Sequence, residues 1–485
     1  MSRGRFDTPA WRTRATRILA LCLLVLGWPT AASAQEVEWS GEVSTALDAL
    51  LFACDHGQGC ELANYSNRNV LRLEVDVEPS AHTAARGEVA LHNVNVPTVS
   101  RHDEVHLAEK VQPISVRMGE VWVAGYDLFA EGLDLKVGSQ LVRWGTGDGY
   151  SPSDRVNPVD LEDPFFFDRR LPVPAAHLSY RFSEFGLSAT WLPFFTPGLM
   201  ANSVFHVAGT DVGTGAVDLQ GGVSGDIPTI NAVTAKVVMP DQALDESGVA
   251  LRAEWASSVA DFALGWFYGR DSLPQLDGEV VPENFFSGGS MDIRVTLAHP
   301  RFHMLAAEAR APLFGGLSAW ADVAVFLPTR TTAFITKDRL DDLERLNAIE
   351  QAPDGDIVGV VQTGDPYVTA VAGVDITLVE LLYLNLQYVH GFLFERNADD
   401  LHHYLFAAIR LPSDDRFWEV ELRGGVETNQ AFDAGGWLAQ ASVALRYDDV
   451  MKFALLGVVM DGQSGTTLSA FHELSEVRVE VSAAF

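Results

Sequence analysis

The sequence predicts an all-β protein: a transmembrane antiparallel up-and-down β-barrel of about eighteen strands, with sixteen as the alternative count and with long extracellular loops. Three observations lead to this fold. The chain begins like an exported protein and ends on an alternating strand, and between them no run approaches the ~20 apolar residues that a spanning helix needs. Hydrophobic residues make up 47% of the chain, yet its mean hydropathy is only +0.08. A barrel explains both values, because only every second strand residue meets lipid.

The last predicted strand runs from residue 475 to 485. Side chains alternate between the two faces of a strand, so this segment has one charged face and one apolar face. The apolar face consists of Val477, Val479, Val481, Ala483 and Phe485. A final aromatic residue resembles the C-terminal signal by which outer-membrane barrels are recognised, so Val481 and Phe485 form the predicted insertion signal. The barrel-assembly machinery is then a predicted partner; the alternative is the last strand of a soluble sandwich.

The N-terminus predicts export. Five Arg residues precede an apolar run from Ile18 to Trp28, which is followed by Ala32, Ser33 and Ala34. A basic region, a short apolar core and an A-x-A site are typical of a cleaved secretory signal. We therefore predict a signal peptide at 1–34 and one outer-membrane barrel domain at 35–485, since splitting a barrel would expose strand edges.

The charge of the chain limits its partners. The net charge is −31, and residues 1–34 carry five Arg and one Asp, so the mature chain has a charge of −35. So acidic a protein repels phosphate backbones, which excludes nucleic acid as a partner. Outer-membrane lipid and lipopolysaccharide are the predicted surroundings. A periplasmic or inner-membrane transport partner and a homo-oligomer stay open.

Two cysteines remain after removal of the signal. Cys54 and Cys60 lie close together in an exported chain and are predicted to form one disulfide after the first strand. A metal site would need more ligands than the neighbouring Asp55 and His56 supply. We predict no metal site and no cofactor.

Nineteen segments are strand candidates. One of them, 71–78, places Arg72, Glu74 and Asp76 on one face, which is natural for a wet lumen. Both termini of a bacterial barrel lie in the periplasm, so the number of strands must be even. Merging the two candidates on either side of Pro300 into one bent strand reduces the count to eighteen; a tight turn there is the alternative. The candidates are 37–51, 71–78, 84–94, 115–126, 132–144, 175–182, 187–193, 248–256, 259–269, 291–298, 302–310, 317–326, 367–377, 382–392, 403–411, 417–427, 437–447, 451–460 and 475–485.

The lengths of the links predict orientation. Short links are expected at the periplasmic end and long loops at the extracellular end. The short links include 183–186, 257–258 and 448–450, and the long loops include 145–174, 194–247 and 328–366. Residues 341–349 have helical spacing and are predicted to be a loop element.

The most individual stretch is 138–170. It contains Gly138, Gln140, Trp144-Gly145, Asn157-Pro158-x-Asp160 and an Arg170 that stands shortly before Pro172. This pattern resembles a large family of Gram-negative outer-membrane proteins called domain of unknown function 1302, and Val389-His390-Gly391 and the terminal Phe485 are also similar. The resemblance implies an outer-membrane barrel. Some members of that family accompany transport systems for hydrophobic compounds.

The loop after Trp144 is the predicted constriction of a pore. It is rich in both acidic and basic residues, so it could fold inward and select solutes by charge and size. Gln140, Arg143, Arg169 and Arg170 are predicted to anchor it inside the lumen; the alternative is that these residues hold an extracellular loop by pairing with one another. The candidate pore residues are Gln140, Arg143, Trp144, Asp148, Asp154, Arg155, Asn157, Asp160, Arg169 and Arg170.

Alternation also predicts which strand residues face the lumen. These are Arg72, Glu74, Asp76, Arg252, Glu254, Glu419, Glu421 and Arg423. The predicted function is a porin-like channel for passive passage of a small solute through this polar lumen. The alternatives are an outer-membrane partner of an export system and a lateral route for hydrophobic compounds. Neither G-x-S-x-G nor H-E-x-x-H occurs, so we predict no enzymatic activity.

Overall fold

The computed structural model describes residues 36–51, 65–94, 108–163, 167–200, 229–286, 290–345, 355–378, 381–413, 416–448 and 450–485. The predicted signal peptide and the predicted disulfide between Cys54 and Cys60 lie outside the described residues. Both stay predictions.

Strands make up most of the described chain. In chain order the strands are β1 (Glu36–Leu50), β2 (Tyr65–Ser80), β3 (Thr83–Val94), β4 (Ile114–Gly125), β5 (Leu133–Gln140), β6 (Asp160–Leu161), β7 (Val173–Phe182), β8 (Phe185–Leu192), β9 (Leu199–Met200), β10 (Thr229–Val238), β11 (Gly248–Ala256), β12 (Asp261–Arg270), β13 (Gln275–Phe286), β14 (Ser290–Ala298), β15 (Arg301–Pro312), β16 (Leu317–Pro328), β17 (Thr331–Ile335), β18 (Ile357–Gln362), β19 (Tyr367–Leu378), β20 (Leu382–His390), β21 (His403–Pro412), β22 (Trp418–Thr428), β23 (Gly435–Tyr447), β24 (Met451–Gly462) and β25 (Glu476–Ala484).

Eighteen of these strands form one closed antiparallel barrel. It contains every strand except β6, β9, β10, β13, β14, β17 and β18. The barrel closes because β1 pairs with both β2 and β25. At the seam, Gly41 and Phe485 exchange backbone hydrogen bonds of 2.8 and 2.9 Å. The predicted closing strand and the predicted count of eighteen are confirmed.

The count of eighteen was right, but the merging of two candidate strands that gave this count was wrong. The segments on either side of Pro300 do not form one bent strand: β14 pairs with β10 and β13, whereas β15 pairs with β12 and β16 in the barrel. Pro300 lacks an N–H donor, and the buried His299 places Nδ1 2.8 Å from the carbonyl oxygen of Asp271. The chain therefore leaves one sheet and enters another at this point.

A second, five-stranded sheet is built in the extracellular loops. Its order is β10-β14-β13-β17-β18, and four of its strands lie in segments that were predicted as loops or not predicted at all. It has an apolar core of its own, made of Leu276, Val280, Ile293, Val295, Leu297, Ala333, Ile335 and Leu340. The pairs β10–β14 and β13–β17 are parallel, so no short turn joins these partners in the sequence.

The links follow the predicted orientation. Eight links of two to seven residues join barrel strands at the end where the two termini meet, and the long loops lie at the other end. The described helices are short: α1 (Ala108–Val111), α2 (Lys337–Arg345) and α3 (Thr467–Ala470). The helix α2 overlaps the segment that was predicted to be a helical loop element.

No helix in the described part of the chain is long and apolar enough to cross a membrane.

The outer wall of the barrel is apolar and carries aromatic residues at two levels. Towards the short turns, five rings follow one another around the wall at centroid distances of 5.4–6.2 Å: Tyr180, Phe182, Phe185, Trp255 and Phe262. Tyr268 lies six residues beyond Phe262 on β12, a rise of about 20 Å. Two such levels with an apolar band between them are typical of a barrel in a bilayer.

Candidate functional site: a loop inside the barrel

The loop of residues 141–172 connects β5 to β7 and is closed at its base by Asn157. The side-chain oxygen of Asn157 accepts a hydrogen bond of 2.7 Å from the backbone N–H of Val142. Its amide nitrogen donates to the carbonyl oxygens of Gln140 and Leu171 at 3.0 and 2.9 Å. Both ends of the loop are thereby tied to one buried side chain.

Gln140 holds the strands from which this loop departs. Its side chain is fully buried and donates to the carbonyl oxygens of Ala175 and Lys136 at 2.9 and 3.1 Å. Further along, Gly145 has a φ of +96°, and a Cβ at this position would lie 2.9 Å from a carboxylate oxygen of Asp322. The chain turns inward at Gly145 because glycine tolerates this conformation and leaves room for the carboxylate.

Apolar residues of the loop pack against the inner wall of the barrel. Trp144 and Val156 share a buried cluster with Phe267, Met304 and Phe326, which project inward from β12, β15 and β16. The Trp144 ring lies against Gly265 on β12, where a Cβ would come within 2.7 Å of the ring. The loop therefore occupies the lumen instead of standing above the membrane.

A polar cluster ties the loop to the same wall. The fully buried Ser153 hydroxyl donates to Asp322 on β16 at 2.7 Å and lies 3.3 Å from Glu308 on β15. Arg252 on β11 makes a bidentate pair with Glu308 at 2.6 and 2.8 Å. We call Ser153, Asp322, Glu308 and Arg252 the serine cluster.

A second polar cluster ties the loop to the opposite wall. Asp163 pairs with Arg478 on β25, and the Arg478 guanidinium also reaches Asp48 at 2.5 Å and Glu476 at 2.6 Å. Arg68 on β2 lies 3.9 Å from Asp163. We call these five residues the arginine cluster. Since β1 and β15 stand nine places apart in a ring of eighteen strands, the loop spans the lumen.

A bidentate ion pair reinforces this side. Both carboxylate oxygens of Glu162 lie 2.5 Å from guanidinium nitrogens of Arg117 on β4. Burial would raise the pKa of Glu162, but the hydrogen bonds and charge of Arg117 outweigh burial and leave the pKa lowered. The same balance holds for Asp163: burial opposes ionisation, the charges of Arg478 and Arg169 outweigh it, and the pKa lies below the ordinary value.

The predicted pore residues occupy different places along this loop. Arg170 pairs with the buried Asp154 at 3.1 Å, and burial raises the pKa of Asp154. Arg143 is exposed and donates to the Asp168 carbonyl oxygen at 3.4 Å. Arg169 lies 3.8 Å from Asp163, and its side chain is 45% exposed.

Arg155, Asp160 and Asp148 complete the set of predicted pore residues. Arg155 donates to the Tyr150 hydroxyl at 3.3 Å, with its guanidinium over the Phe326 ring. Asp160 accepts from the backbone N–H of Glu162 at 3.1 Å, and Asp148 is half-buried.

The contacts to the two walls are made mainly by residues that the sequence did not single out as anchors. Of the four predicted anchors, Gln140 holds the base of the loop, Arg143 and Arg170 bind within it, and Arg169 reaches Asp163. Ser153, Glu162 and Asp163 contact the walls. Alternation would have placed Arg117, Glu308, Asp322 and Arg478 on the inner face, but it carries no signal for which loop residue meets which strand.

The eight predicted lumen residues all lie in ion pairs between or along neighbouring strands. Arg86 bridges Glu74 at 2.6 Å and Asp76 at 3.3 Å. Arg72 reaches Glu88 at 3.2 Å, and Arg252 reaches Glu254 at 2.6 Å. On β21, β22 and β23, Glu421 pairs with Arg410 and Arg423, and Glu419 pairs with Arg446 at 3.9 Å.

Two further loops enter the extracellular mouth: residues 391–402 between β20 and β21, and residues 463–475 between β24 and β25. The buried Glu427 on β22 accepts 2.7 Å hydrogen bonds from the first two backbone N–H groups of α3, those of Thr467 and Leu468. His402 places Nδ1 2.6 Å from the same carboxylate, and this hydrogen bond raises the pKa of His402. Between these loops and residues 141–172, an apolar core extends through Phe394 and Met200. The sequence contained no signal for this packing.

The closed barrel, its apolar outer wall and its charged lumen define a transmembrane β-barrel of the bacterial outer membrane. No family model matches the chain, so the resemblance to domain of unknown function 1302 stays a prediction, and no curated protein matches it either.

Among solved structures, the chain is similar to three proteins of Pseudomonas aeruginosa. For OpdK with vanillate the TM-score is 0.48 at 10% identity, covering 93% of this chain and 98% of that one. For OccK9 (OpdG) the TM-score is 0.47 at 10% identity, covering 93% and 97%. For OccD3 (OpdP) it is 0.45 at 9% identity, covering 95% and 97%. At these values the similarity carries no conclusion about a solute.

Proposed function

We propose that the protein is a porin-like channel for passive passage of a small solute, narrowed by the loop 141–172. The observation that carries this proposal is the attachment of the loop to opposite walls, through the serine cluster and the arginine cluster. A segment held across a lumen at both sides reduces the cross-section that is open to a solute. Its charged partners set the field inside that narrowed section.

The lumen supports passage of a polar solute. Acidic and basic side chains face it from strands on all sides, and most of them are paired at 2.6–3.9 Å. Paired charges line a polar surface, which selects a solute by its size and its polarity. Such a wall suits a small hydrophilic molecule better than a bulky apolar one. We infer no enzymatic activity.

Single-channel conductance in a planar bilayer tests the proposal. The mature chain, refolded in detergent, is compared with a variant in which 148–163 is replaced by a short Gly-Ser linker. We expect steady ohmic steps from the parent chain and larger, less ion-selective steps from the variant. The control changes the exposed Asp338 and Arg345 of the extracellular helix α2 to Ser, keeps its buried Leu340 in the core of the extracellular sheet, and is expected to leave the conductance unchanged.

Two results would contradict this function. One is silence from a folded parent barrel, whose folding is checked by its heat-modifiable migration in a denaturing gel. The other is equal conductance and selectivity in the parent chain and the 148–163 variant, because the loop would then not be the constriction.

A lateral route for hydrophobic compounds is the second candidate, and one observation favours it. Pairing of β4 with β5 begins at Val121 and Ser139, so Ile114 to Glu120 extend beyond β5 with no strand partner on that side among the described residues. The outward side chains Ile114, Val116 and Met118 are 66–68% exposed. An unpaired strand edge in a membrane protein is tolerated where it lines a cavity or an opening.

Labelling distinguishes this route from the channel. A Met118→Cys variant carrying a bulky maleimide should slow uptake of an apolar solute into proteoliposomes while leaving ion conductance unchanged. Unchanged uptake would exclude a route at this position. The role as partner of an export system stays a prediction.

A further inference from the structure

Two histidines face each other on the outer wall of the barrel, away from the loop and the lumen. His390 ends β20 and His403 begins β21, and the two are direct cross-strand partners. Alternation places both on the outer face, together with Tyr388 and Leu405. Their imidazole Nδ1 atoms lie 3.3 Å apart, and their rings stack at a centroid distance of 4.9 Å.

This separation suits one metal ion shared by both rings. Two nitrogen ligands at about 2.1 Å from a tetrahedral zinc ion lie roughly 3.4 Å from each other. Imidazole nitrogen is a favoured ligand for divalent zinc, copper and nickel. The paired strands supply both nitrogens from neighbouring backbones, so little ordering is needed when an ion binds.

The surroundings supply a third polar atom. The Tyr388 hydroxyl lies 2.7 Å from Nδ1 of His403, and the exposed Phe432 ring stacks on His403 at 5.2 Å. No group of three or more His, Cys, Asp or Glu side chains that could hold a metal occurs in the described ranges. Any further ligand must therefore come from Tyr388, from water or from an oxygen donor outside the chain.

We propose that His390 and His403 form a surface site for a divalent transition-metal ion such as Zn²⁺. The ion fastens the extracellular ends of β20 and β21 to each other, with Tyr388 beside it and the outward coordination positions open. This site is independent of the proposed channel, because both imidazoles point away from the lumen. His390 and His403 are thirteen residues apart in the sequence, so the sequence alone does not show that they meet; the adjacent pair in the sequence is His402 and His403.

Calorimetric titration of the detergent-solubilised mature protein with ZnCl₂ tests the proposal. The variants are His390→Gln and His403→Gln. The matched control is His303→Gln, since His303 also faces outward but stacks on Tyr268 at 4.5 Å and on Trp266 at 6.0 Å instead of on a second imidazole. Each site variant should weaken the tightest zinc-binding event by roughly tenfold or more, because a chelating ligand is lost. The control should retain it.

A spectroscopic measurement covers the case of a variant that folds poorly. The parent protein loaded with one equivalent of Cu²⁺ should show nitrogen hyperfine coupling from two imidazoles, and His303→Gln should keep that signal. Parent binding that is unaffected by His390→Gln and by His403→Gln would overturn the proposal. A signal from a single imidazole in the parent protein would also overturn it.

Discussion

The two clusters that hold the loop 141–172 differ in what the loop contributes to each. At the serine cluster the loop supplies a neutral hydroxyl, and the charges of Asp322, Glu308 and Arg252 all belong to the wall. At the arginine cluster the loop supplies the carboxylate of Asp163, which binds a guanidinium that three acidic groups share. One side of the constriction is therefore held mainly by apolar packing and the other by buried ion pairs.

The two attachments of the loop should therefore respond differently to pH and salt. Apolar contacts of Trp144 and Val156 are insensitive to pH and salt, whereas a buried ion pair depends on every partner staying ionised. Removing one member of such a cluster leaves the other charges buried without compensation. The arginine cluster is thus the more fragile attachment, although it contains the stronger individual contacts.

The largest expected effect comes from Arg478→Gln. This change leaves Asp48, Asp163 and Glu476 buried without their shared cation, and breaking a buried pair costs about 3–5 kcal/mol. Urea unfolding of the refolded barrel measures the loss. The control is Arg423→Gln, a half-exposed lumen pair expected to cost less than about 1 kcal/mol. Equal losses in both variants would mean that Arg478 is not a special anchor.

A smaller effect is expected from Asp163→Asn, and it should depend on pH. Because the pKa of Asp163 is lowered in the folded protein, the stability gained from its charge is present above the unfolded pKa of about 3.9 and is lost as the pH falls through the lower folded value. The variant should be destabilised at pH 7, with the difference from the parent narrowing below roughly pH 4. Unfolding curves across this range measure it. A difference that stays constant would exclude the charge as the cause.

The smallest effect is expected from Ser153→Ala. The change removes the hydroxyl that donates to the Asp322 carboxylate, while the packing of Trp144 stays, so the cost should be about 1–2 kcal/mol. Thermal unfolding at pH 8 measures this loss. A loss as large as that of Arg478→Gln would show that the serine cluster also depends on charge.

Much of the barrel could be predicted from local patterns, because the side chains of a strand alternate between its two faces. Eighteen of the nineteen candidate strands lie in the barrel, and the face that carries Arg72, Glu74 and Asp76 points into the lumen as expected. The exception, 291–298, alternates as well as its neighbours do. Nothing in its own residues states that it pairs in the extracellular sheet.

The interior of the barrel could be predicted only in outline. The position of the loop after Trp144 and its mixed charges were visible in the sequence, but its partners were not. Ser153 meets Asp322 across 169 residues, Asp163 meets Arg478 across 315, and Arg478 meets Asp48 across 430. Such pairs depend on where the barrel closes, so no local pattern records them.

The sequence alone predicts the strand faces, the need for an even number of strands and the closing role of the segment that ends at Phe485. These follow from steric alternation and from the requirement that a barrel in lipid leave no open edge. Only the assembled barrel shows that β15 and not β14 belongs to it, and that Ser153 and Asp163 hold the loop. Alternation is compatible with any sheet and does not show which sheet a strand joins. The buried ion pairs join residues that are far apart in the chain, so they form only when the barrel has closed.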